Sequence, residues 1–178
     1  MSTEILTDYI RVTDILRPFT KLDEIDPEIV NRAAARGQFV HDCIGGHVNG
    51  LGYPPIPQKW KGYIDSYEKW KQFGAKPQLF EERFYSKEYM LTGQIDMYLE
   101  NTIIDFKTSS KYSKTWPLQL AAYKFLMSIN KKEAFAAKII HLSKEGKEPT
   151  IYEFSRNELD KALELFMGAY ECYMALLK

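Results

Sequence analysis

Residues 91–108 constrain this chain more than any other stretch. Two runs rich in Ile, Leu, Met, Tyr and Thr, 91–99 and 102–108, flank Asn101. Branched and aromatic residues suit a pleated, half-buried surface, and Asn tolerates the backbone of a tight reversal. The expectation is a β-hairpin. It brings Asp96 and Asp105 together although nine positions (105 − 96) separate them. Strand alternation points Asp105 and Lys107 to one face and Phe106 to the other. Two acids and a lysine at one strand end make a poor structural device, because like charges repel. They make a good site for a divalent cation and an activated water. Carboxylates are hard ligands for Mg²⁺ or Mn²⁺, and the Phe106 carbonyl can add another. Lys107 can hold the water or offset developing charge.

Of the 178 residues, 45% are hydrophobic and 27% charged, enough to bury one core, so a single domain is expected. It divides into a helical part (1–77), a core sheet carrying the site (78–156) and a closing helix (157–178). No apolar run can span a bilayer. The start, Met1-Ser2-Thr3-Glu4, lacks the features of a signal peptide. Cys43 and Cys172 stand far apart with no Cys-x-x-Cys pair. These features imply a reducing, cytoplasmic setting and no cysteine-built zinc or iron–sulfur centre. Both cysteines read as small buried hydrophobes. Net charge is zero, yet residues 106–147 hold nine Lys and two Glu, a local +7 that leaves −7 elsewhere. That is either a face for an anionic partner or a solvated lysine-rich surface.

Periodicity and punctuation give the remaining elements. Thr13 caps a short helix ending before Pro18. Asp26-Pro27 starts a helix that stops near Gly45-Gly46. A third helix covers 58–73. Strands follow at 79–86, 90–99 and 102–108. Thr115 and Pro117 open a helix to Ile129, strands follow at 134–142 and 150–154, and Asn157 caps a last helix to 177. This order predicts an α/β fold, a central mixed sheet with helices on its faces.

Other candidates have two readings each. Glu81 and Glu82 lie on the strand before the hairpin, and alternation lets one face the site. Gln119 and Tyr123, spaced i, i+4, share a helix face; they orient Lys107 or a phosphate, or form an ordinary helix-edge pair. His41 is a lone helical His, and Arg36 a phosphate contact or a surface Arg. Trp60, Tyr63, Tyr67 and Trp70 fall at helical spacing and read as core.

In sequence order these residues resemble the PD-(D/E)xK nuclease superfamily, in particular its RecB-like exonuclease branch. The likeness runs over about residues 9–125: Arg36-Gly37-x-x-Val40-His41, then Glu81, Gly93-x-x-Asp96, Asp105-Phe106-Lys107-Thr108 and Gln119-x-x-x-Tyr123. The resemblance implies a restriction-endonuclease-like core preceded by helices. It implies metal ligands at His41, Asp96, Asp105 and the Phe106 carbonyl, a catalytic Lys107, Glu81 in preference to Glu82, and Gln119/Tyr123 as an accessory motif. Cysteine-cluster relatives do not fit the cysteine count. The expected activity is Mg²⁺- or Mn²⁺-dependent DNA hydrolysis from an end, in recombination, repair or phage DNA processing. A recombinase or single-strand annealing protein is the expected partner, and no membrane. Lys111, Lys114 and Lys124 would hold phosphates, with Tyr112 and Trp116 stacking on unpaired bases or packing a loop. A structure-specific endonuclease and an inactive DNA-binding module are the alternatives.

Overall fold

The computed structural model describes residues 9–71 and 76–176. The expected chain start and the expected helix ends at 73 and 177 lie outside the described residues. Among the described residues five α-helices and eight strands follow in order: β1 (Ile10–Arg11), α1 (Val12–Leu16), α2 (Pro27–Val48), α3 (Lys61–Trp70), β2 (Leu79–Phe80), β3 (Arg83–Ser86), β4 (Leu91–Gln94), β5 (Met97–Leu99), β6 (Thr102–Lys107), α4 (Trp116–Ile129), β7 (Ala136–His141), β8 (Thr150–Phe154) and α5 (Arg156–Leu176). The fold is α/β, as expected. No helix among the described residues is long and apolar enough to cross a membrane.

The strands form two sheets, ordered β1-β4-β3 and β2-β5-β6-β7-β8. Asn101 and Glu100 both take positive φ at the turn of the β5–β6 hairpin. The β6–β7 pair is parallel and spans α4, while β7–β8 is antiparallel. The expected single strands 79–86 and 90–99 are each broken in two. Pairing nevertheless runs through the break: the Glu81 N–H donates to the Asp96 carbonyl (2.9 Å) and the Ile95 N–H to the Glu82 carbonyl (3.0 Å). Glu81 sits in the left-handed region (φ 49°), which bends its strand there. Both strands therefore pass from one sheet to the other at the level of Asp96.

Helices cover both faces. Ile103 of β6 packs with α1, α4 and α5 around Leu120, Leu126 and Phe166. Ile104 and Phe106 pack on the other side with α2 and α3, around Val40, Ile44 and Tyr67. Tyr63 and Tyr67 are buried, with Trp60 and Trp70 packed against them, so the aromatic stripe is core. Cys43 is buried; Cys172 is exposed, against expectation, because α5 turns that face to solvent.

Three local readings are corrected. The helix from Asp26, whose carboxylate accepts from the Glu28 N–H (2.8 Å), runs past Gly45-Gly46 to Val48. Those glycines admit close neighbours: a Cβ on Gly46 would lie 2.4 Å from the Gly52 carbonyl oxygen. The last helix is capped by Ser155 and not by Asn157. Ser155 and Glu158 exchange hydrogen bonds as a capping box, with the Ser155 N–H 2.8 Å from Glu158 Oε2. Thr13 lies inside α1, whose cap residue is Arg11.

Candidate active site

β6 positions the site. Asp105, on its α4-facing side, is only 2% exposed. Its Oδ2 lies 2.8 Å from Lys107 Nζ. No hydrogen bond is directed at that oxygen, which among the described residues is the one buried side-chain nitrogen or oxygen so placed. The contact is thus an ion pair by distance and not by aim. Buried polar atoms are almost always satisfied, and an exception points to function or to a missing ion.

α4 supplies the next layer. Gln119 bridges three groups: its Oε1 accepts from Lys107 Nζ (3.1 Å), and its Nε2 donates to Asp105 Oδ1 (3.3 Å) and to the Tyr123 hydroxyl (2.8 Å). Of the two readings of this pair, the one that orients Lys107 describes the contacts. The Tyr123 hydroxyl is 5% exposed as part of its residue, and burial first, then the nearby Asp105 charge, push its pKa far above the ordinary phenol range. Gly93 on β4 makes the contact with α4 possible. A Cβ there would lie 2.7 Å from the Tyr123 ring.

Asp96 sits where β4 ends and β5 begins. Its Oδ2 accepts the Phe106 N–H (2.8 Å), a bond that locks the hairpin to the site. Its Oδ1 lies 3.5 Å from His41 Nδ1 of α2. Burial and the neighbouring Asp105 raise its pKa to about 7, against the opposing effects of His41, Lys107 and the Phe106 N–H. Strand geometry puts the Phe106 carbonyl on the same edge as its N–H, the edge from which β4 departs. Two helices thus reach one strand end from opposite faces, His41 from one and Gln119 from the other.

The other candidates are dispersed. Arg36 Nε donates to Thr108 Oγ1 (3.2 Å), next to Lys107, and its guanidinium lies over the Tyr63 ring (5.4 Å). Glu81 contributes its backbone to the Asp96 rung, and its side chain is exposed. Lys111 lines a cleft together with Lys107, Gln119 and Asp14. Lys114 and Tyr112 line a separate open hollow beside α5. Lys124 pairs with Asp160 (2.7 Å), so it is committed to α5, because one helix packs on the other there. Trp116 is buried against Tyr112, His141 and Tyr152, and so packs the loop, because a covered ring has no face for a base. Lys138 pairs with Glu153 (2.7 Å), so the basic excess is partly neutralised within the fold.

Sequence reasoning missed His141 and the α1 side of the cleft. His141, level with Lys107 in the β6–β7 register, donates from Nε2 to the Ser109 carbonyl (2.6 Å) and so ties down the loop after Lys107. Thr13, Arg17 and Leu22 line the cleft opposite Lys111. Nothing in their local pattern marks them, since the juxtaposition spans some ninety positions of chain.

Among the described residues no three His, Cys, Asp or Glu side chains already converge as a metal-binding group. What is in place is a carboxylate pair, one member ending in a buried, unsatisfied oxygen. Hard anionic oxygen of this kind suits a divalent cation of the Mg²⁺ or Mn²⁺ type.

No protein-family profile matches the chain, and no curated relative matches it by sequence. Solved structures do match. One from Eubacterium rectale, provisionally named an exonuclease, superposes with a TM-score of 0.61 at 13% identity, covering 93% of this chain and 82% of that one. At that identity the likeness shows a shared fold. The protein SSO0001 superposes at a TM-score of 0.48 and 15% identity, over 90% of this chain and 75% of that one.

Proposed function

We propose that this protein is a divalent-metal-dependent deoxyribonuclease of the RecB-like PD-(D/E)xK type that hydrolyses DNA from an end. The observation that carries the proposal is Asp105 Oδ2, buried, unsatisfied and 2.8 Å from the Lys107 ammonium. The shared fold with a protein provisionally named an exonuclease supports it.

Asp96, Asp105 and the Phe106 carbonyl would hold Mg²⁺ or Mn²⁺, with His41 beside Asp96. Once bound, such an ion polarises the scissile phosphate and makes water a better nucleophile. The chain's own residues do the positioning. Gln119 holds Lys107 by its amide oxygen, so that the ammonium is fixed where it can hold the attacking water and offset charge on the phosphate. The water oxygen bonds to phosphorus as the bridging phosphorus–oxygen bond breaks; the water gives up a proton to solvent and the departing oxygen takes one from solvent, leaving a phosphate monoester end and a hydroxyl end. Asp96 is protonated more readily than an ordinary carboxyl, so it exchanges its proton for a cation near neutral pH. Arg36 presents a guanidinium beside Thr108, and Lys111 an ammonium in the cleft, both suited to phosphate contact. Recombination, repair or phage DNA processing, alongside a recombinase or annealing protein, is the setting that follows from this proposal.

The test is nucleotide release from linear DNA with Mg²⁺ or Mn²⁺, comparing wild type with Asp105→Ala and Lys107→Ala. Activity in wild type and its loss in both variants is the expected outcome. A wild-type protein that releases nothing under any divalent metal refutes the proposal.

A further inference from the structure

The loop over residues 108–115 joins the end of β6 to the start of α4, and so joins Lys107 to Gln119. The bond between those two side chains spans the loop, and its geometry holds only while the loop keeps both ends in place. Ser109, Ser110, Lys111 and Lys114 are exposed, so burial does not fix this stretch of chain.

Hydrogen bonds fix it instead, one residue at a time. The Lys107 carbonyl accepts from the Leu142 N–H (2.8 Å). Thr108 Oγ1 accepts from Arg36 Nε. The Ser109 carbonyl accepts from His141 Nε2 (2.6 Å), and the Ser109 hydroxyl turns the chain by donating to the Lys111 carbonyl (2.9 Å). A carbonyl only accepts, so Nε2 carries the proton. His141 also makes a second contact. Its ring meets that of Trp116, the first residue of α4, edge to face with centroids 5.2 Å apart. Trp116 is buried and lies one helical turn before Gln119. One side chain on β7 thus holds both ends of the loop, the end that leaves Lys107 and the end that starts the helix of Gln119.

Ser109 is exposed, so water can take the imidazole's place at its carbonyl, and losing the bond costs little stability. Water does not, however, tether that carbonyl to β7. The bond therefore contributes geometry more than stability, and the geometry it sets is that of the loop leaving Lys107. We infer that His141 is a positioning residue: through its Nε2–H it holds the loop after β6 to β7, and so keeps the Lys107 ammonium against Gln119. This rests on the nuclease reading of the site, and it adds a residue that acts through Lys107.

The experiment compares wild type with His141→Gln and His141→Leu. Both variants lack the ring and are similar in size, and only Gln keeps an N–H donor at about the reach of Nε2. The difference between them isolates the hydrogen bond. Hydrogen exchange of peptides covering residues 108–115, in EDTA, reads the loop. Steady-state hydrolysis of linear DNA with Mg²⁺ reads the site, and thermal unfolding checks the fold. In His141→Leu the loop is expected to exchange faster than in wild type, with β6 and β7 unchanged. Its kcat falls about tenfold or more, since a misplaced catalytic group is costly, while KM changes less. His141→Gln recovers most of both, and Tm stays near wild type in each variant. Wild-type loop exchange in His141→Leu overturns the inference, as does a rise in KM alone or an equal loss in the two variants. A His141→Leu that does not fold where His141→Gln does also overturns it, because the bond then serves stability. A loop that loosens in His141→Leu, in a protein that hydrolyses no DNA under any divalent metal, retains the brace and sinks the nuclease reading. Hydrolysis indifferent to His141 does the reverse.

Discussion

Substituting Gly93 by Ala replaces a hydrogen with a methyl group in a place with no room for it. The new Cβ would stand 2.7 and 2.8 Å from two Tyr123 ring carbons and 3.0 Å from Leu126 Cδ1. Carbon atoms rest at about 3.5–4.0 Å, so the ring must retreat by roughly 0.7–1.3 Å. Both neighbours are buried, which leaves α4 itself to move. Overpacking of this kind costs roughly 1–3 kcal/mol, which in a chain of this size lowers Tm by roughly 2–12 °C. The chemical effect is larger. Tyr123 accepts a hydrogen bond from Gln119, and Gln119 holds both Lys107 and Asp105. Moving the first link displaces the ammonium, and a misplacement near 1 Å lowers a rate by about 10²-fold. Thermal unfolding and DNA hydrolysis at a temperature well below both midpoints separate the two effects. Adding Tyr123→Leu to Gly93→Ala should restore Tm by making space and leave hydrolysis low, because the hydroxyl is gone. Hydrolysis that falls only in step with the unfolded fraction, or not at all, refutes the relay from β4 to Lys107.

Asp96 gives a pH dependence. Its folded pKa of about 7 lies above the unfolded value of about 3.9, so the folded chain binds this proton more tightly. Its contribution to stability is full below pH 4, is lost as the pH rises towards 7, and is flat beyond. Urea unfolding in EDTA across that window should show the decline, and Asp96→Asn should flatten it. Asp105→Asn removes the carboxylate paired with the Lys107 ammonium, so its Tm without metal should fall below that of wild type. Mg²⁺ should stabilise wild type by about 2.7 kcal/mol at a hundred times its dissociation constant and leave Asp105→Asn unmoved, as read by calorimetry. Gln119→Ala frees Lys107 without opening the core, since Gln119 is half-buried at the helix edge. It should lower kcat at least tenfold with Tm within a degree or two. Ser155→Ala removes the α5 capping box and should cost about 1 kcal/mol, measured by denaturant midpoint, with hydrolysis unaffected.

The hairpin was legible because its signals are local: alternation, β-branched residues and an Asn at the turn. The same is true of α4, where the i, i+4 spacing of Gln119 and Tyr123 predicts one shared face, and of the Asp26 cap. The break at Glu81 and Asp96 was not legible. A glutamate in the left-handed region carries no local mark, and the bend follows from how two sheets share one pair of strands. Lys124 and Trp116 read as a phosphate contact and as a stacking or loop-packing ring because they follow the hairpin in a lysine-rich stretch of sequence. Their partners, Asp160 and Tyr152, arrive from α5 and β8, more than thirty positions away. Gly45 and Gly46 read as a helix stop, and close packing turned out to be the reason for them. Spacing predicts that Asp96, Asp105 and Lys107 come together, and they do, whereas what surrounds them depends on tertiary contacts.

β6 places consecutive residues in different interiors. Ile103 belongs to the α4–α5 side and Ile104 and Phe106 to the α2–α3 side, while Asp105 and Lys107 stand at the end of both. The two interiors meet through the sheet, since β5 and β7 also send alternate residues to each side. The strand end cannot drift with either one alone. A substitution that loosens either interior therefore registers first as a change in the spacing of Asp96, Asp105 and Lys107. In a population of variants, hydrolysis should fall before cooperative unfolding does, which would make the site a gauge of agreement between the two halves.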